Sequence, residues 1–289
     1  MLQVARLAPG QLLEAGDSVR DFISGQVASD GGFRDRAGSS DLYYTVFGIE
    51  CLIALRAELP SDRLIPYVRS FGDGAGLDLV HLGCLARCDA ALERTALSDA
   101  DRAGIARRFG DFRSADGAYH NTPGRELGTI YGCFVATGGL QDLGLELPDP
   151  DGVSSFLEAM ATPDGGFANE RSMKFGTTPA TCAAVTLLRQ LRRPIPERAG
   201  DWLFERWNPD GGGFFAAPGA PMPDLLSTAT TLHALSGLER RFDALREPCL
   251  DFVDTLWTSE GSFFGHWAEQ TLDCEYTFYG LLALGHLSI

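Results

Sequence analysis

Basic charge is scarce in this chain. Lysine and arginine together number 24 against 39 aspartates and glutamates, which leaves a net charge of −15. Phosphate neutralisation supplies most nucleic-acid affinity, so this balance argues against a nucleic-acid partner. Lysine is almost missing. Lys174 is the only one, and by itself it reads as a solvated surface charge. No apolar run reaches the roughly 18–20 residues needed to span a bilayer. The opening Met1-Leu2-Gln3-Val4-Ala5-Arg6 runs into a charged helical pattern rather than a signal-peptide core, so a cytoplasmic location is expected. The seven cysteines are odd in number, and most sit in apolar segments (Cys51, Cys84, Cys133, Cys182), which suits reduced core residues better than a disulfide framework. Gly-x-Ser-x-Gly, His-Glu-x-x-His and the phosphate P-loop are all missing, which removes the commonest hydrolase and nucleotide signatures.

What the chain does have is a repeat. A glycine-rich knot ending in an aromatic recurs as Asp30-Gly31-Gly32-Phe33, Asp116-Gly117-Ala118-Tyr119, Asp164-Gly165-Gly166-Phe167 and Asp210-Gly211-Gly212-Gly213-Phe214. Weaker copies are Glu260-Gly261-Ser262-Phe263 and Asp73-Gly74-Ala75-Gly76-Leu77, and the acidic residues step by 43, 43, 48, 46 and 50 positions. Self-similarity on that scale means a solenoid, a propeller or a closed ring. Before each knot lies a stretch mixing charged and apolar residues at helical spacing, such as Asp21-Phe22-Ile23 or Trp202-Leu203-Phe204. After each knot comes a polar loop and then a segment apolar nearly all round, for example residues 43–55, 181–188 and 276–284. A helix with no polar face is buried on every side. Each unit is therefore an outer amphipathic helix, a glycine turn that needs positive φ, and an inner buried helix. Neither terminus shows a polar capping repeat, so six pairs predict a closed all-α (α/α)6 toroid, a single domain over residues 1–289.

Ring closure has an electrostatic consequence. If every inner helix follows the same turn, the six N-termini share one mouth, and each start carries unpaired N–H groups and about half a positive charge. Such a mouth favours an anion. Asp41, Asp78, Asp224 and Asp273 stand at equivalent positions there. They read either as N-caps, worth about 1 kcal/mol each, or as acids lining a pocket.

These residues resemble a known family. Paired outer and inner helices joined by Gly-Gly-Phe turns are similar to the β subunits of protein prenyltransferases and to squalene and oxidosqualene cyclases, over nearly the whole chain. Asp41-Leu42-Tyr43-Tyr44-Thr45-Val46-Phe47-Gly48-Ile49 resembles the prenyltransferase pattern Asp-x-Phe-His-Thr-Leu-Phe-Gly-Ile. Glu126-Leu127-Gly128-Thr129-Ile130-Tyr131 resembles its His-Ala-Gly-Gln-Ile-Tyr segment. The resemblance implies a central aromatic-lined cavity for an isoprenoid or polyene, a hydrophobic small molecule. Tyr43, Tyr44, Phe47, Tyr131, Tyr276, Phe278 and Tyr279 are its expected wall. It also implies a diphosphate clamp, since Arg171-Ser172-Met173-Lys174 is similar to the family's Arg-x-x-Lys, and a protein partner like the α subunit.

In the same family zinc is held by Asp-x-Cys at one inner helix and a His from the next repeat, where it stabilises a substrate thiolate. Read from the first repeat those positions are Asp41, Tyr43 in place of Cys, and His81. From the fourth they are Thr177, Pro179 and Ser227. From the sixth, around the ring, they are Asp273, Glu275 and Tyr44. None of these sets is complete, so the cofactor is left unknown. Two fallback metal sets are Asp41 with Asp78 and His81, and the helical stripe His81, Cys84, Cys88. The cyclases' Asp-x-Asp-Asp is also missing, as is an Asp-Asp-x-x-Asp for magnesium, and Asp149-Pro150-Asp151 reads as a turn before a helix. The expectation is a prenyltransferase- or terpenoid-cyclase-like enzyme. Its catalytic candidates are Asp41, Asp273 and Glu275, carboxyls whose pKa an apolar funnel would raise. Its alternative is a non-catalytic lipid-binding or partner-docking toroid.

Overall fold

The computed structural model describes residues 1–289. Two short helices, α1 (Leu2–Ala5) and α2 (Pro9–Leu12), come first. Six pairs follow, each an outer helix and then an inner one. They are α3 (Ala15–Gly25) with α4 (Leu42–Ala54), α5 (Ser61–Arg69) with α6 (Leu79–Ala91), and α7 (Asp99–Phe109) with α8 (Ile130–Asp142). Then come α9 (Pro150–Ala159) with α10 (Thr178–Gln190), α11 (Glu197–Phe204) with α12 (Leu225–Gly237), and α13 (Arg246–Thr255) with α14 (Cys274–His286). Every inner helix has 13 residues, so each is about 20 Å long at 1.5 Å per residue.

The burial pattern follows the sequence pattern. On α3, Val19 and Ile23 are buried while Asp17, Arg20 and Asp21 are exposed. On α14, ten of the 13 residues are buried, which is why no polar stripe interrupts that segment. Consecutive inner helices pack side by side, and α14 packs on α4, so the ring closes. The short α1 lies against α14 and α4.

The knots lock each pair. Gly31 sits at φ +101°, and a Cβ there would lie 2.2 Å from the Arg63 carbonyl oxygen, so only glycine fits. The aromatic that follows is clasped by the inner helix. The Phe33 amide donates to Thr45 Oγ1 at 2.9 Å, and its ring lies over Gly48, where a Cβ would come within 2.2 Å. Phe167 with Thr181 and Phe214 with Thr228 repeat the amide–hydroxyl bond at 2.9 Å.

Two loops hold what helical periodicity could not predict. Phe33–Arg34 (β1) pairs antiparallel with Ser40–Asp41 (β2), and Phe214–Phe215 (β3) with Pro223–Asp224 (β4). In each the knot's aromatic and the next helix's N-cap aspartate are both extended, which makes a two-residue hairpin possible.

Candidate functional site

The inner-helix starts are knit to one another around the ring. The Ile130 amide of α8 donates to the Asn169 carbonyl before α10, Thr178 of α10 to Ala216 before α12, and Leu225 of α12 to Gly265 before α14. Arg36, before α4, donates to Asp273 at the start of α14, and Asp41 at the start of α4 meets His81 of α6. All six N-termini therefore share one mouth.

The four mouth aspartates are N-caps. Asp41 accepts from the Tyr43 and Tyr44 amides, Asp78 from His81, Asp224 from Ser227 and Asp273 from Tyr276. Their charge offsets the positive helix ends. Thr129 caps α8 through its hydroxyl, and Thr177 precedes α10 without a side-chain cap bond. The mouth is thus acidic over α12, α14, α4 and α6 and neutral at the caps of α8 and α10.

On the acidic side three repeats converge. Asp41 Oδ1 holds the two amides at 2.7 and 3.3 Å, and Oδ2 faces His81 Nε2 at 3.0 Å. His81 Nδ1 faces Asp78 Oδ1 at 2.8 Å. The bond to Asp41 first, and then Asp78, pushes the imidazole up to about 9 against the opposing effect of burial. At neutral pH His81 is a cation between two carboxylates. Burial works to raise Asp41, but the His81 bond and the two amides outweigh it and hold its carboxyl below the ordinary value.

At the α14–α4 seam, Arg36 Nε donates to Asp273 Oδ2 at 2.8 Å and Nη1 to Glu269 Oε2 at 3.2 Å, with the guanidinium 5.3 Å from the Tyr276 ring centre. Asp273 is 2% exposed, and burial raises its carboxyl even though the Tyr276 amide and Arg36 pull the other way. The Tyr43 hydroxyl donates to Glu275 Oε1 at 2.6 Å. Burial raises the Glu275 carboxyl, and the Tyr43 bond offsets part of this. An aromatic wall adjoins the pair. Tyr43 stands edge-on to Tyr44 and Phe47, with ring centres 5.5 and 5.0 Å apart, and Phe47 lies 5.7 Å from both Phe278 and Tyr279.

The other expected residues divide. Tyr131 opens α8 and is 38% exposed. Arg171 and Lys174 lie in the loop before α10, across the ring from α4. Arg171 is 3.7 Å from Asp116, while Lys174 is exposed and makes no ion pair. Arg36 and Glu269 were missed by sequence reasoning, because both sit in loops with neither periodicity nor motif.

The family's zinc does not fit this donor set. Tyr43, in the place of the thiolate, gives its hydroxyl to Glu275, and both His81 nitrogens are committed to carboxylates. No three His, Cys, Asp or Glu side chains converge as a metal-binding group. Cys88, in the other fallback set, is buried in the core beside the half-buried Cys84.

Two cavities, of about 390 and 270 Å³, lie away from the mouth, near the C-terminal ends of the inner helices. The larger is lined by Met1, Val185, Thr186, Arg189, Gln190, His233, Ala234 and Gly237. His233 Nδ1 lies 3.0 Å from His286 Nε2, and burial pushes the two imidazoles down to about 3 and about 4. Neutral imidazoles and one guanidinium offer less chemistry than the mouth's coupled carboxyls, so the candidate site is assigned to the mouth.

A closed ring of helix pairs with a polar and aromatic mouth defines an α/α toroid. The chain belongs to the prenyltransferase alpha-alpha toroid domain family, which matches residues 10–72, 77–214 and 181–288. Among solved structures it is similar to Candida albicans protein geranylgeranyltransferase-I complexed with GGPP, at 16% identity and a TM-score of 0.67 over 82% of each chain. It is also similar to a type II terpene cyclase from Scytonema in complex with geranylgeranyl dihydroxybenzoate, at 13% identity and 0.61 over 97% of each chain. A protein from Actinoplanes matches at 18% identity and 0.64, over 95% of this chain and 98% of that one. At such identities the likeness is one of fold. No curated protein matches the chain. No helix is long and apolar enough to cross a membrane.

Proposed function

We propose that this protein is a prenyltransferase- or terpenoid-cyclase-like enzyme that takes a long isoprenoid chain, with a diphosphate head group, at the shared mouth. The observation that carries this reading is the mouth's asymmetry. Coupled acids and an aromatic wall occupy the α14–α4–α6 side, while the one free lysine stands across the ring before α10. A head group entering there avoids the four capping aspartates and meets Lys174 and Arg171. The chain then runs towards the half-buried Tyr43 and Phe47, whose ring faces stabilise allylic positive charge by up to about 2 kcal/mol when desolvated, while Phe278, expected in the same wall, lies in the core at 1% exposed. The neighbours' GGPP and geranylgeranyl ligands support the same substrate class.

Calorimetry with geranylgeranyl diphosphate tests the reading. Charge-assisted bonds contribute about 1.5–3 kcal/mol each, so Arg171→Ala with Lys174→Ala is expected to weaken binding at least tenfold. Equal affinity in the double variant removes the clamp, and no binding to the wild type removes the reading.

One observation favours a second reading, a non-catalytic lipid-binding toroid. Asp41 and Asp273 have both oxygens engaged in cap and ion-pair bonds, as structural groups would.

A further inference from the structure

Among the carboxyls on the α14–α4–α6 side of the mouth, the bonding is unequal. Asp41 spends Oδ1 on two amides and Oδ2 on His81, and Asp273 spends Oδ1 on the Tyr276 amide and Oδ2 on Arg36. Asp78 keeps Oδ2 free, but its side chain is 54% exposed and its other oxygen is tied to His81. Glu275 is different. Its Oε1 accepts from the Tyr43 hydroxyl, its Oε2 accepts no hydrogen bond, and it stands half-buried against the Tyr43 and Phe47 wall. The zinc that would activate an acceptor in the family has no donor set here, and Tyr43, in the missing thiolate's place, is the very residue that holds Glu275.

We infer that Glu275 is the general base of a metal-free prenyl transfer, its free Oε2 taking the proton of a protic acceptor (a phenol, amine or thiol) while Tyr43 positions it. This rests on the prenyl diphosphate reading above. In the step, the acceptor heteroatom attacks C1 of the prenyl chain and forms the new bond to carbon. The C1–O bond breaks, and its electron pair leaves with the diphosphate. The acceptor's proton moves to Glu275 Oε2, so the products are the prenylated acceptor, diphosphate and a neutral carboxylic acid, with no other co-reactant.

Burial also adjusts the proton affinity of Glu275. Burial raises the Glu275 carboxyl towards the range where general bases operate near neutral pH. The groups facing it are Tyr43 and Tyr44 on α4, Arg36 on the hairpin, Asp273, Tyr276 and Tyr279 on α14, and Tyr131 on α8. The Tyr43 bond and Arg36 lower its pKa, and the Asp273 charge raises it.

The test uses the full chain with geranylgeranyl diphosphate and three small acceptors, p-cresol, hexylamine and N-acetylcysteine. Binding of the diphosphate is measured first, in the wild type, Glu275→Gln and Tyr43→Phe, beside thermal melts. Glu275→Gln keeps the shape and the Tyr43 bond. It is expected to bind the diphosphate and melt like the wild type, yet to transfer about 100-fold or more slowly. Tyr43→Phe removes the bond that lowers the Glu275 pKa, so the inflection of its pH–rate profile is expected to move to higher pH, an effect that simple loss of packing does not produce. If the wild type binds no diphosphate, the substrate reading fails. If it binds but transfers to none of the three acceptors, or if Glu275→Gln stays within about threefold of wild type, the substrate reading stands and the base assignment falls.

Discussion

Replacing Asp41 by Asn separates its cap from its charge. Asn caps a helix about as well as Asp, so the bonds from the Tyr43 and Tyr44 amides survive. The partner facing His81 Nε2 changes from an anion to a neutral amide. His81 is raised from 6.5 to about 9, with the Asp41 bond as the largest cause. A shift of that size corresponds to about 3 kcal/mol, and with a third of the side chain in water about 1–2 kcal/mol is the realistic share. The folded-state pKa lies above the unfolded one, so this stabilisation is complete below about pH 6.5 and is lost as pH rises from there through 9. Proton NMR of His81, with chemical denaturation between pH 5 and 10, reads both quantities. In Asp41→Asn the His81 midpoint is expected to fall towards its ordinary value, and the stability difference from wild type to shrink above pH 9. A wild-type His81 midpoint near 6.5, or one unmoved by the substitution, refutes the Asp41–His81–Asp78 linkage.

Gly48→Ala places a Cβ inside the Phe33 ring contact and is expected to cost about 1–3 kcal/mol by denaturant melting. A silent substitution means that the knot does not lock as described. Arg36→Ala strips the counter-charge from the buried Asp273 and is expected to destabilise the fold by about 1–3 kcal/mol at neutral pH. Because burial holds the Asp273 carboxyl above its ordinary value of 3.8 and loss of Arg36 raises it further, that deficit is expected to shrink as pH falls from neutral towards 4, and a pH-independent deficit contradicts it. Elemental analysis of purified protein is expected to find well under one zinc per chain, and stoichiometric zinc lost in His81→Ala overturns the metal-free account.

The repeat made the ring legible. Spacing of 43 to 50 residues between Asp30, Asp73, Asp116, Asp164, Asp210 and Glu260 marks six units, and the packing of α14 on α4 closes them into the expected ring. Ring order then explains why distant residues meet. Asp41 neighbours His81 and Tyr43 neighbours Glu275 because α4 lies between α6 and α14, so aligning repeats places them on one side of the mouth. The seam ion pairs were illegible, since Arg36 and Glu269 occupy loops whose geometry comes from tertiary bonds. The stripe His81, Cys84, Cys88 shares one helix face, yet the His81 nitrogens turn to carboxylates on either side while Cys88 sinks into the core. Spacing along one helix records which face a residue shares and nothing of what the neighbouring helix offers it.

The central claim is that the mouth receives an isoprenoid diphosphate. A crystal structure of the full chain soaked with geranylgeranyl diphosphate tests it most directly. Density is expected for the diphosphate beside Lys174 and Arg171, with the chain crossing towards Tyr43 and Phe47. Density confined to the cavity beside Arg189 and His233, or an empty mouth at saturating ligand, contradicts it.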